Sequence, residues 1–450
     1  MNTRLEEKLK AKAREISIKE GSAYGVSDGF GLRYVAPYAL ALGANNAQIG
    51  VLSSLPNLFG NFSQVYASKA MERFSRKKIV FACVLMQAVM WLSLIGLGVS
   101  TFIFDLTPET RANLVIVAYT LIILFGGFLG PVWSSWMRDL VTKSMGKYFG
   151  VRNRIVGFVA LISMLVAGFV LDYSKGTTVF LGFGVLFFVA FVARTVSAFL
   201  LLEQHEPKFV YMKGSYFSLM DFLRRMPKTN FGRFTIFVAL VNLATAIASP
   251  FFTVYMLGTL KFSYVYYIIV IMSSTLTTLL FMPVWGKFAD LYGNMRVVKI
   301  CSFFIPAIPF LWIASVFIPN PEMLLVYLVI IEGFSGFAWA GFNLSAGVFI
   351  YDAVTRQKMA LCVSYFNVLN AVGIFIGALL GGFVSSQHFV FFGLTPLLFV
   401  FLLSGVARLV VPLGMIGKIR EVREVKELNT EEVREWLSVL SPEQRLRIRR

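Results

Sequence analysis

The chain has 450 residues, of which 57% are hydrophobic and 15% charged, with 45 Phe; this excludes an ordinary soluble fold and points to a membrane protein. The formal net charge of +18 does not mark a nucleic-acid binder, because the bases alternate with apolar runs instead of pooling in one soluble region. Cys83, Cys301 and Cys362, odd in number and far apart within apolar runs, read as small buried residues, and His205 and His388 fall in loops, so neither a metal site nor a histidine relay is expected.

Twelve apolar segments approach the ~20 residues that a helix needs to cross a hydrocarbon core, where only helices and closed barrels satisfy their own backbone. They run roughly over 21 to 42, 46 to 67, 79 to 100, 113 to 137, 151 to 171, 178 to 202, 232 to 257, 264 to 285, 297 to 318, 322 to 350, 359 to 384 and 389 to 414. The prediction is an all-α integral membrane protein with twelve transmembrane helices. The N-terminal tail, the even-numbered connections and the C-terminal tail hold nearly all of the 42 Lys and Arg, whereas the intervening loops hold Arg111, Lys175 and Lys261. By the positive-inside rule both ends are cytoplasmic, in a plasma membrane.

Residues 3 to 20 are charged with apolar residues at helical spacing, which suits an amphipathic helix on the membrane surface or a solvated one. The first crossing is long, carries Asp28 and Arg33 and lacks a small-residue cleavage site, so it is not read as a cleaved signal. Its Gly21, Gly25, Gly29 and Gly31 permit close helix approach or local unwinding. In the second crossing Ser53, Asn57, Asn61 and Gln64 follow one face, which must look at protein or water: interhelical packing or substrate contact. Gly373, Gly377 and Gly381 in the eleventh read as a packing face. Residues 203 to 231 form a polar linker with a short surface helix in YFSLMDFLRR, and the tail from Met415 holds two helix starts, one at Asn429 with Glu432 and one at Ser441 with Pro442, Glu443 and Gln444.

The two halves repeat each other. GKFADLYGNMR, Gly286 to Arg296, aligns with SKAMERFSRKK, so that Gly286, Asp290, Gly293 and Arg296 fall on Ser68, Glu72, Ser75 and Lys78; Arg73 and Arg76 lie in the second copy. Asp139, Val141, Thr142 and Lys143 fall on Asp352, Val354, Thr355 and Arg356, and the triplet ending at Arg194 falls on the one ending at Arg408. Three matches in the same order predict two homologous six-helix halves, 21–202 and 232–414, between tails 1–20 and 415–450.

Gly286, Asp290, Gly293 and Arg296 match the loop signature of the major facilitator superfamily, and the resemblance extends over nearly the whole chain. It implies a membrane carrier that moves a small solute by alternating access, with the first, fourth, seventh and tenth helices around a central cavity. It also implies that the loop acids close the cytoplasmic side by reaching across to the other half: Asp290 toward Arg152 and Arg154, and Glu72 toward Lys358 or Arg356. The fifth crossing lacks the glycine-proline signature of the family's drug antiporters, which weighs against drug efflux.

Ionisable groups deep in a membrane helix are costly and usually functional. Asp28, Arg33 and Glu332 qualify, either as coupling groups for a proton and substrate contacts or as structural pairs. Arg194 and Arg408 lie nearer helix ends and are expected to snorkel to the interface in a structural role. Trp91, Trp133, Trp136 and Trp339, with Gln87, Asn242, Asn343, Asn367 and Asn370, are candidates for a stacking and hydrogen-bonding wall or for ordinary core. No GxxxxGK[ST], HExxH or CxxC motif occurs, so no enzyme and no cofactor is expected. The expected partners are a small solute, a coupling proton and the bilayer, for a monomer; the alternatives are an uncoupled facilitator or drug exporter, or a transport-silent sensor.

Overall fold

The structure is a computed structural model that describes residues 3–141, 145–176, 178–207, 218–355 and 358–425. Thr142, Lys143, Arg356 and the helix starts at Asn429 and Ser441 lie outside the described residues. The chain is helical: α1 Thr3–Phe30, α2 Val35–Ala41, α3 Asn46–Arg73, α4 Arg76–Ile103, α5 Pro108–Leu140, α6 Met145–Ser174, α7 Val179–Glu203, α8 Leu219–Arg225, α9 Asn230–Ala246, α10 Ser249–Val254, α11 Tyr264–Tyr292, α12 Asn294–Phe304, α13 Ala307–Ala314, α14 Pro321–Ala353, α15 Met359–Ser385 and α16 Pro396–Met415. The short helix of the linker is α8, started by a Ser218 and Asp221 capping box.

Ten helical stretches among the described residues are long and apolar enough to cross a membrane. They match the third to twelfth predicted segments. The first two segments fall in α1, the turn Leu32–Tyr34, α2 and α3: the break around Asp28 and Arg33 leaves α2 only 7 residues long, and the Asn57 and Asn61 face makes α3 less apolar. Both are nonetheless held inside the bundle, α1 against α6 and α7, and α3 against α5 and α15.

Three predicted crossings are interrupted. At Gly31 α1 gives way to this turn, and the Trp91 ring, 2.5 Å from where a Cβ would stand, leaves room there for glycine alone. After this break the Tyr34 and Tyr38 hydroxyls donate to the Met164 and Leu94 carbonyls and pin α2 to its neighbours. The seventh crossing breaks between α9 and α10, where Pro250 enters the first turn of α10, and it ends in a π turn, Tyr255–Thr259. The ninth breaks at Pro306, which caps α13. The GKFADLYGNMR stretch is mostly helix rather than loop: α11 runs to Tyr292 and only Gly293, at φ +95°, makes the turn. In the matching copy Ser75 sits at φ −65° and caps α4, so that turn needs no glycine.

Small residues bring the helices together. A Cβ on Gly25 or Gly29 would come within 2.8 Å of the Val156 or 2.6 Å of the Ala160 carbonyl oxygen on α6. The expected packing face of α15 is observed: Gly373, Gly377 and Gly381 meet the Ala239, Leu243 and Ile247 carbonyls at the α9 side. Lipid supplies no hydrophobic force between helices, so such contacts and their dispersion energy hold the bundle.

Gly377→Leu should therefore wedge α15 from α9 and lower the melting temperature of the purified protein, a loss of about 1–3 kcal/mol. Gly184→Ala, where nothing lies within 4 Å, is the control that should melt with wild type.

Candidate functional site

The two halves meet at the end of the bundle opposite the tails. There the Asn46 amide donates to the Ser385 carbonyl at 2.9 Å, and a Cβ on Gly50 would come within 2.6 Å of the Ala378 carbonyl oxygen, joining α3 to α15. Asp172, at the end of α6, accepts from the Tyr264 and Val265 backbone N–H groups at 2.9 and 2.8 Å and pairs with Lys175 at 3.0 Å. A carboxylate on the first N–H groups of α11 is favourable for charge and hydrogen bonding alike. Nothing in the sequence singled out Asp172, because its partner lies in the other half.

At the tail end each half closes on itself. Arg76, with a side chain 1% exposed, pairs with Asp139 at 2.6 Å and Glu206 at 3.5 Å; Glu206 also accepts from the Arg76 and Lys77 backbone N–H groups at 2.8 and 3.3 Å, capping α4. The second half repeats the plan. Asn294 donates to Asp352 at 2.9 Å, Arg423 forms an ion pair with Asp352 at 3.0 Å that lacks hydrogen-bond geometry, and Glu421 accepts from the Met295 backbone at 2.8 Å, capping α12. A Cβ on Gly293 would approach the Glu421 carboxylate to 2.6 Å, which together with its positive φ explains the glycine.

Among the described residues the expected cross-half pairs do not occur in this conformation; the pairing of Glu72 with Arg356 lies outside them. Asp290, Glu72, Arg73 and Arg154 are exposed and, among the described residues, have no ion-pair partner. Arg152 is committed elsewhere: buried, it pairs with Glu20 at 3.1 Å, donates to Ser17, and stacks over Trp133 at 4.7 Å. Glu20 also accepts from Ser197 at 2.9 Å. Sequence reading missed Glu20 because it stands before the first apolar run, where an acid looks like part of a solvated tail. Gly286 lies within α11 against Leu344, and Arg296 follows the Gly293 turn on α12.

Arg194 and Arg408 turn inward instead of snorkelling. Arg194 donates twice to Gln87 and lies 5.0 Å over the Tyr24 ring, and Arg408 donates to Ser404 at 3.0 Å and to the Thr245 carbonyl at 3.2 Å. Gln87 in turn donates to Ile122 at 2.7 Å, and Trp91 is 2% exposed and stacked on Phe187, so both belong to packing between helices. Trp133 packs on Phe149, and buried Trp136 donates to the His205 carbonyl. Asp28 and Arg33 stand 3.9 Å apart, and Glu332 accepts from the Trp312 indole at 3.1 Å.

Five of the predicted residues gather around a cavity of about 280 Å³: Asn61 from α3, Asn242 from α9, Asn343 from α14, and Asn367 and Asn370 from α15. Asn242 donates to Asn370 at 2.9 Å, and Asn370 donates to the Phe366 carbonyl at 2.9 Å. Asn57 lies one turn before Asn61 and is exposed; Trp339 packs edge-on against Phe342, which lines the cavity.

The model of the Major Facilitator Superfamily matches residues 24–238 and 234–446. The chain belongs to this superfamily and is a multi-pass membrane transporter of a small-molecule solute. Among solved structures it is similar to the nucleoside transporter NupG, at 17% identity and a TM-score of 0.66 over 93% of this chain and 100% of that one. It is also similar to an auto-inhibited POT family peptide transporter, at 12% identity, TM-score 0.68, and 93% and 99% coverage. A bacterial homologue of the iron transporter ferroportin, in an inward-facing state, gives 11% identity, TM-score 0.66, and 91% and 98% coverage. No curated protein matches the sequence.

Glu20→Ala leaves Arg152 buried without its acid and should cost about 3–5 kcal/mol. Asp28→Asn, at a longer and more exposed pair, should cost within ~1 kcal/mol. Thermal melting of the two purified variants checks the order, and equal shifts would contradict the burial argument.

Proposed function

We propose that the protein is a twelve-span secondary transporter, 21–202 and 232–414 forming its halves, that moves its solute by alternating access with both tails and the 203–231 linker cytoplasmic. The observation that carries this reading is asymmetry: the halves are bridged at the end away from the tails, while at the tail end each half satisfies its charges internally. Two bodies bridged at one end and, among the described residues, without a cross-half ion pair at the other, with a polar cavity between them, can rock about that cavity. On this reading the conformation is the inward-open one, and the protein works as a monomer in the plasma membrane.

Proton coupling is assigned to Glu332, deep in the apolar α14, and to Asp28, beside the helix break that follows α1. A carboxylate whose hydration alternates with the transport cycle changes its proton affinity through desolvation and neighbouring charge. In proteoliposomes Glu332→Gln should abolish uptake driven by a pH gradient while leaving solute exchange largely intact, and Asp28→Asn is the parallel case. If both variants still concentrate solute against its gradient, coupling lies elsewhere.

Asp290 and Glu72 act in the opposite state. With Arg152 held by Glu20, Arg154 is the cation available to Asp290 when the tail end closes, and Lys358 or Arg356 the one for Glu72. A partly exposed pair of this kind contributes about 1 kcal/mol to one state only. Asp290→Asn should therefore shift the balance toward inward-open roughly fivefold. The readout is faster alkylation of a cysteine placed at Ala346, with a smaller effect for Glu72→Gln; unchanged alkylation in both would remove these acids from the gate.

A further inference from the structure

Among the described residues, the cavity between the halves is lined by amides and apolar groups and by no ionisable side chain. Asn61, Asn242, Asn343, Asn367 and Asn370 bring five carboxamides to a space of about 280 Å³, flanked by the Phe342 and Phe366 rings. Glu332, on the same helix as Asn343, lies eleven residues away, which is about 16 Å along the axis at 1.5 Å per residue. Eleven residues are also close to three turns, so Glu332, Trp339 and Asn343 share one face of α14.

The amides divide into two sets. Asn370 is used twice, accepting from Asn242 and donating to the Phe366 carbonyl, so it fixes both its own plane and that of Asn242. Asn61 donates to the Asn57 carbonyl at 2.8 Å and accepts from Gln64 at 3.3 Å. Asn343 and Asn367, among the described residues, make no side-chain hydrogen bond and face the cavity with a donor and an acceptor each.

A group that both donates and accepts is matched by hydroxyls and by amide-like ring edges, which do the same. An anion would present acceptors alone and leave the carboxamide oxygens opposed to it. A cation would leave the amide N–H groups opposed. Either ion would also enter a partly dry site that offers no opposite charge, and that is costly. The two phenylalanine rings add apolar faces for a flat ring or for the C–H face of a sugar.

We propose that this cavity binds an uncharged solute bearing several neighbouring hydroxyl or amide-like groups, of sugar or nucleoside chemistry, with Asn343 and Asn367 as its principal hydrogen-bonding contacts. The assignment rests on the transporter reading and names its substrate class. It also separates recognition from coupling: solute is held at the asparagines and the proton about three turns away at Glu332. Asn61 is the one cavity amide from the first half, so rocking of the halves changes its distance from bound solute and makes affinity depend on state.

The test is thermal melting of the purified protein, followed by counterflow in proteoliposomes, with glucose, xylose, uridine and adenosine as the uncharged arms and succinate, alanine and tetraethylammonium as the charged ones. At least one uncharged probe should raise the melting temperature, and the sugar and nucleoside arms say which chemistry is taken. Asn343→Ala and Asn367→Ala should each bind that probe about tenfold more weakly while melting with wild type when no solute is present. Stabilisation and counterflow by charged probes alone would overturn the assignment and leave the transporter standing. Undiminished binding of an uncharged probe in the double variant would also overturn it. Silence of every probe in both assays would count against transport itself and the substrate class with it.

Discussion

The contact on which the bundle depends is the approach of glycine Cα atoms to backbone carbonyls of a neighbouring helix. Inside a bilayer apolar side chains gain nothing by leaving lipid for protein, so close packing has to supply the association energy. Helix α15 uses this contact on two sides. Gly373, Gly377 and Gly381 bind it to α9 within its own half, while Gly382 and Ala378 meet the start of α3 in the other half. One helix is therefore both a wall of the second half and the surface on which the first half rests, and its asparagines line the space between them.

Charge is handled by a second rule, that buried ions stay within one rigid body. Arg76, Asp139 and Glu206 make a closed set in the first half, and Asn294, Asp352, Arg423 and Glu421 repeat it in the second. In each case an acid from beyond the last helix of the half caps the helix after the first repeated turn. Separating such groups would strand buried charge at several kcal/mol. The halves can thus move as units, with the Asn46, Asp172 and Tyr267 hydrogen bonds and the packing of α3 on α15 to be broken between them.

Most of the fold was legible because lipid exposure writes itself into composition: the third to twelfth apolar segments are helices that face hydrocarbon. The first two were read in the same way, as apolar runs near spanning length, but their polar faces, spent on neighbours and on the cavity, leave them less apolar than the other ten. The repeat of Asp139 in Asp352 was legible because both mark the same helix end. Glu20, Asp172, Glu206 and Glu421 were not, as each lies outside an apolar run and acquires its partner from a helix distant in sequence. Of the expected cavity residues, Asn61, Asn242, Asn343, Asn367 and Asn370 converge and Asn57 stays outside the lining, whereas Gln87 and Trp91 are consumed by Arg194 and Phe187. Amide side chains give no local sign of whether a neighbour has already used them.

The central claim is that the contact between α3 and α15 opens and closes with each cycle. A Cβ on Gly382 stands 3.2 Å from the Ala47 Cα, so cysteines at Ala47 and Gly382 fall within reach of a disulfide, and the native Cys83, Cys301 and Cys362 are free and buried. The measurement is solute uptake by the Ala47→Cys, Gly382→Cys protein in proteoliposomes before and after oxidation, and again after reduction. Uptake should stop on oxidation and return on reduction, because the locked protein can no longer expose the cavity on the other side. Transport at the same rate with the cross-link formed would contradict the rocking of two halves about this contact.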